Sequence, residues 1–110
     1  SVTPADNTDK MDLSSRDYIF PDSNSRYLTD EDLSGYSSDQ LELAKNEIYA
    51  RHGRKFVTQR IADYFNSKSW YKGTVEPETF DADTSVFNEY EVANIQKIAD
   101  TEGKLRSEGK

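Results

Sequence analysis

The chain is 110 residues long and has no cysteine, so it is one small domain with a modest core, and neither disulfides nor a thiolate metal site can hold it. Its net charge of −7 sets a field that repels phosphate and argues against nucleic-acid binding, and no apolar run approaches the roughly 18 residues of a membrane span. Charged residues at 32% would suit a disordered chain, but seven Tyr, five Phe and one Trp supply the bulk for a folded centre between polar ends.

Residues 1–16 are polar, without an apolar period, and read as a flexible linker or tail. The first residue is Ser1 and no leader is visible; the expectation is that a leader or upstream region has been removed, or that this is one domain of a longer chain. The domain itself is expected over residues 17–102. Tyr18, Ile19 and Phe20 can lie extended on it, and Pro21 with Asp22-Ser23-Asn24 makes a turn. Thr29 caps a short helical turn rich in acids, which Gly35 ends.

The first long helix begins near Ser37 or Ser38, where Ser37 and Gln40 fit a capping box. Leu41, Ala44, Ile48 and His52 recur at helical spacing, and Gly53 stands where a left-handed cap is needed. A second helix is predicted over 58–66, capped by Thr58, with Ile61, Tyr64 and Phe65 on its inner face. Ser69-Trp70-Tyr71-Lys72-Gly73 is an aromatic turn, and residues 74–85 are mostly loop, with Phe80 tucked inward. In the last helix Asn88 caps, Glu91 completes a box, Phe87 staples onto Val92, and Val92, Ile95, Ile98 and Ala99 form the apolar stripe. Gly103 is expected to end it, leaving 103–110 as a tail. The fold class is therefore mainly α: a small single domain of about three helices with long aromatic-rich connections. A minor strand pair near 55–57 is the only β feature allowed for.

Charge is unevenly distributed. Residues 1–44 carry a net −7, residues 45–72 a net +5 and residues 73–110 a net −5. A basic centre between acidic flanks either pairs with those flanks or faces an anionic partner. Tyr49 and His52 lie one helical turn apart, with Arg51 round the side. Their structural reading has His52 bonded to a carbonyl or carboxylate, Arg51 paired with an acid from the last helix or its approach, and Tyr49 packed. Their functional reading is a pocket in which Arg51 clasps a carboxylate or phosphate. No nucleophile motif or oxyanion loop accompanies His52, so catalysis is not expected. Glu47 and Arg51 form an i,i+4 pair, and Asn46 either reaches a neighbouring loop or faces solvent. Trp70 and Tyr71 are either core or a sugar-stacking platform. Asp81, Asp83, Ser85 and Glu89 are faintly like a calcium loop but lack its Gly and its final Glu; Asp83 and Glu89 are read as capping or pairing. With one His and no Cys, no metal or other cofactor is expected.

Tyr49-Ala50-Arg51-His52-Gly53 spells YARHG. With Ala44-Lys45-Asn46-Glu47-Ile48 before it, Arg54-Lys55-Phe56 after it, the block Tyr64 to Tyr71 and the block Phe87 to Ile95, the sequence resembles the YARHG domain family over residues 17–101. The resemblance implies an extracellular module of exported bacterial proteins, among them lipoproteins and fusions to peptidases or kinases. It implies a cell-surface role and contact with the cell wall, and it brings no catalytic residues. On that footing the expected function is a non-catalytic interaction module, monomeric, with no nucleic-acid partner and no membrane insertion of its own. It would bind a wall polymer or glycan, or another surface protein. The candidate ligand-binding residues are Tyr49, Arg51, His52, Arg54, Lys55, Trp70 and Tyr71, with Arg60 beside them. The alternative is a purely structural or protein-docking domain of a larger exported protein, its basic stretch neutralised by its own acids.

Overall fold

A computed structural model describes residues 16–110. The linker expected over 1–16 falls almost wholly outside the described residues. Among the described residues five helices follow in order: α1 (Asp30–Leu33), α2 (Ser38–Ala50), α3 (Gln59–Asn66), α4 (Pro77–Ala82) and α5 (Glu89–Ser107). Three helix starts are set by reciprocal caps. Thr29 and Asp32, Ser37 and Gln40, and Asn88 and Glu91 each exchange side-chain and backbone bonds across the first turn, satisfying donors that the helix cannot. Thr58 occupies the cap position of α3 without such a bond.

The long helices α2 and α5 pack against each other and carry the core. Leu41, Ala44 and Ile48 of α2 and Ile98 of α5 are at most 1% exposed. The segment 16–28 crosses this pair as a strap and adds Ile19, Phe20 and Leu28 to the same cluster. A second cluster, Ala50, Ile61 and Phe65 with Phe56, Trp70 and Tyr71 against it, ties α3 to the end of α2.

Four expectations are corrected by the fold. Residues 74–85 contain α4, started by Pro77 at a position where its missing N–H costs nothing; Phe80 is buried within it. The strand pair near 55–57 is a single parallel bridge between Arg54 and Val75, because Lys55 N donates to Val75 O (2.9 Å) and the chain then turns away. Gly103 does not end the last helix, which runs to Ser107 and closes with Lys110 N on Leu105 O (2.8 Å). Arg106 holds that last turn, reaching Glu102 of its own helix and Asp39 and Glu42 of α2. Val92 is 54% exposed and so falls outside the buried stripe, whereas Ile98 is buried and Ile95 packs on the core as expected; Glu91, Asn94 and Glu102 are the further buried positions of α5.

Gly53 has φ +91° and is buried at the turn after α2. A Cβ there would lie 2.6 Å from Thr74 Oγ1. Its carbonyl accepts from both Thr74 N and Val75 N at 2.9 Å, so the turn cannot relax without losing them. Gly53→Val is expected to cost about 2 kcal/mol from the left-handed backbone and the close approach together. Denaturant melts of wild type and variant test this, and coincident curves would contradict the assignment.

Candidate functional site

The YARHG stretch closes α2 and sends each of its side chains to a different part of the molecule. Tyr49 is half-buried against Phe80 and Phe87, with ring centroids 6.0 and 5.7 Å apart. Burial pushes its hydroxyl pKa up, and nearby Arg54 partly opposes that. Ala50 is buried in the second cluster. Arg51 reaches back to the strap, donating to Pro21 O (3.1 Å) and Ser23 Oγ (3.5 Å), with its guanidinium 4.6 Å from the Tyr18 ring centroid. His52 Nε2 lies 2.8 Å from Glu91 Oε2 of α5, and its ring stands edge-on to Phe87. One carboxylate thus serves two purposes: Glu91 Oε1 caps α5 through Asn88 N while Oε2 holds His52.

The basic stretch meets the protein's own acids. Arg54 makes a two-pronged pair with Asp81 of α4, both bonds 3.0 Å. Lys55 pairs with Glu76 at 2.6 Å, and Arg60 pairs with Glu42 of α2. Trp70 stacks on Tyr18 (4.8 Å) and donates its indole N–H to Asp17 O (2.6 Å). The Tyr71 hydroxyl donates to Arg54 O (2.6 Å). The seven candidates are therefore not gathered in one place. Tyr49 and Arg54 share a cleft, Arg51 and Trp70 clasp the strap at Tyr18, Tyr71 and Lys55 bond Arg54 O and Glu76, and His52 bridges to α5.

Several side chains outside the YARHG pentapeptide organise this region. Glu47 does not pair with Arg51 as its spacing suggests. Its fully buried carboxylate accepts from the strap amides Ile19 N (2.7 Å) and Phe20 N (3.1 Å). Burial raises its pKa to about 7 against the pull of those bonds. Asn46 turns back to Glu42 O within its own helix instead of reaching a loop. Asn94 holds the strap from α5, accepting from Leu28 N and donating to Ser23 O and Arg26 O. Asp83 bonds Ser85, and Glu89 accepts from the Tyr27 hydroxyl, so the calcium-like stretch is engaged in turn and surface contacts. Among the described residues no cluster of His, Cys, Asp or Glu has the make-up of a metal site.

Beside the motif lies a cleft of about 510 Å³ between α2, α4 and α5, lined by Asn46, Tyr49, Arg54, Phe80, Phe87 and Val92 among others. Among the described residues no helix is long and apolar enough to cross a membrane. No curated protein and no solved structure matches the chain. The YARHG domain family matches residues 16–103. That span takes in the strap, the capped helices, the motif and most of α5, and by it the chain belongs to the YARHG domain family.

Proposed function

We propose that this domain is a non-catalytic interaction module on the outside of a bacterium, and that it contacts the cell wall through uncharged surface, with its basic centre serving as scaffold. The observation carrying this reading is the pairing of Arg54 with Asp81, Lys55 with Glu76 and Arg60 with Glu42, which leaves little net positive field for an anionic polymer. The chain's net charge of −7 acts in the same direction. His52, bonded to Glu91 and lying against Phe87, is occupied as a structural bridge.

The expected result is that purified wall retains the protein equally at low and high salt, and that the double variant Arg54→Glu, Lys55→Glu is retained as well as wild type. Release by salt, or loss in the double variant, would assign binding to the basic stretch. Absence of retention by any wall preparation would favour the second reading, a structural or protein-docking domain. That reading draws on the inward engagement of Arg51, His52 and Arg54.

A further inference from the structure

We infer that the cleft between α2, α4 and α5 is a binding site for an uncharged sugar ring. This rests on the reading of the domain as an uncharged-surface module and gives that surface a place. Its walls are the half-buried rings of Tyr49 and Phe87 over a floor formed by the buried Phe80, the three meeting at 5.7 to 6.0 Å, and its rim is the 54%-exposed Val92. At about 510 Å³ it is the size of a site for a small ligand.

The polar groups select the chemistry. Arg54 and Asp81 both line the cleft, but they close on each other through two bonds, so the pair offers no net charge to an ionic ligand. The Tyr49 hydroxyl has no hydrogen-bond partner among the described residues, although burial disfavours its ionisation and leaves it a neutral donor. Asn46 and Gln96 each commit one amide N–H to their own helix, to Glu42 O and Asp100 Oδ1, leaving the carbonyl oxygen as acceptor and the second N–H as donor. Aromatic faces beside a hydroxyl and two amide oxygens match a ring with C–H groups on one side and hydroxyls round its edge. A peptide would be held differently. Strand addition needs an open backbone edge, whereas this cleft is walled largely by helices whose main-chain groups bond internally.

The test is a titration of the full chain, followed by backbone amide NMR, with two neutral probes, cellotriose and the β-1,4-linked trimer of N-acetylglucosamine. Saturable shifts centred on Tyr49, Phe87, Val92 and Gln96 are expected with at least one probe, with a Kd of the order of 1 mM and no dependence on salt. Tyr49→Phe should weaken binding about fivefold through loss of one hydrogen bond. Val92→Lys, an exposed change that leaves the core intact, should abolish it. The inference is overturned if neither probe shifts these amides, if Val92→Lys binds like wild type, or if an apolar peptide shifts them while both sugars do not. Wall retention that survives Val92→Lys would remove the cleft while leaving the wall-contact reading in place.

Discussion

Glu47→Ala is expected to lower folding stability by about 4 kcal/mol at about pH 5, the largest effect of any polar substitution considered for this domain. The carboxyl group is completely buried, and its oxygens are the acceptors for Ile19 N and Phe20 N. Truncation leaves two buried amides unbonded and a cavity under the strap. Lys68 Nζ, which bonds Arg16 O and lies over the Tyr64 ring, shares this polar centre, as does the buried Tyr64 hydroxyl, whose pKa is pushed up to about 12. Glu47→Gln is expected to cost less, about 2 kcal/mol, because it keeps the volume and one acceptor but turns an amide donor toward the other strap N–H.

The same carboxyl gives the fold a pH dependence of defined sign. Its folded pKa of about 7 lies above the ordinary 4.5, so the folded state holds the proton more tightly than the unfolded chain does. The resulting stabilisation is complete below pH 4.5 and is lost as pH rises through about 7, a change of about 3 kcal/mol. Asp30, Asp32, Asp81 and Asp83, whose pKa values are lowered by their donors, act in the opposite sense and below that window, losing their contribution as pH falls beneath the usual carboxylate range. Urea unfolding of wild type and Glu47→Gln across this range should therefore show a slope in wild type that the variant lacks. Parallel profiles would mean that Glu47 does not titrate in the folded domain.

What could be read from the sequence was what local chemistry decides. The boxes at Ser37 with Gln40 and Asn88 with Glu91 are complete within four residues, and Gly53 follows directly on the helix it stops. Leu41, Ala44 and Ile48 are an apolar stripe in the ordinary sense, and they are buried. The inner face of α5 was only partly legible because three of its four buried residues are polar. Glu91 is buried to meet His52, Asn94 to meet the strap and Glu102 to lie 3.3 Å from Lys45, partners between 39 and 71 residues away (the Lys45–Glu102 separation falls inside that range). The apolar stripe Val92, Ile95, Ile98 and Ala99 finds the buried Ile98 and the core-packed Ile95, but an apolar period cannot find these three polar positions. Gly103 reads as a stop because glycine costs about 1 kcal/mol inside a helix. Here the partly buried Leu105, packed on the main core, and the Arg106 ion pairs act beyond it and carry the helix on. The candidate site divided in the same way: the motif marks the end of α2, but the partners of Arg51, His52 and Arg54 come from three other segments that no spacing rule connects.

Asn94→Ala is expected to destabilise the domain by about 3 kcal/mol, although the residue lies outside the YARHG pentapeptide. Its carboxamide is 1% exposed and satisfies three backbone groups of the strap at once: it accepts from Leu28 N at 2.8 Å and donates to Ser23 O at 2.8 Å and Arg26 O at 2.9 Å. Alanine orphans one donor and two acceptors where water has little access. Asn94→Asp discriminates a packing loss from a bonding loss, because it preserves shape and the bond from Leu28 N but presents a carboxylate to two carbonyl oxygens. It should be at least as destabilising as alanine near neutral pH, and less so once acidified enough to protonate the carboxyl and restore a donor. Denaturant midpoints for the two variants decide the matter. If Asn94→Asp were as stable as wild type at neutral pH, the two carbonyl bonds would not exist in solution, and the strap would have to be held by Glu47, Arg51 and the apolar contacts of Ile19, Phe20 and Leu28 alone.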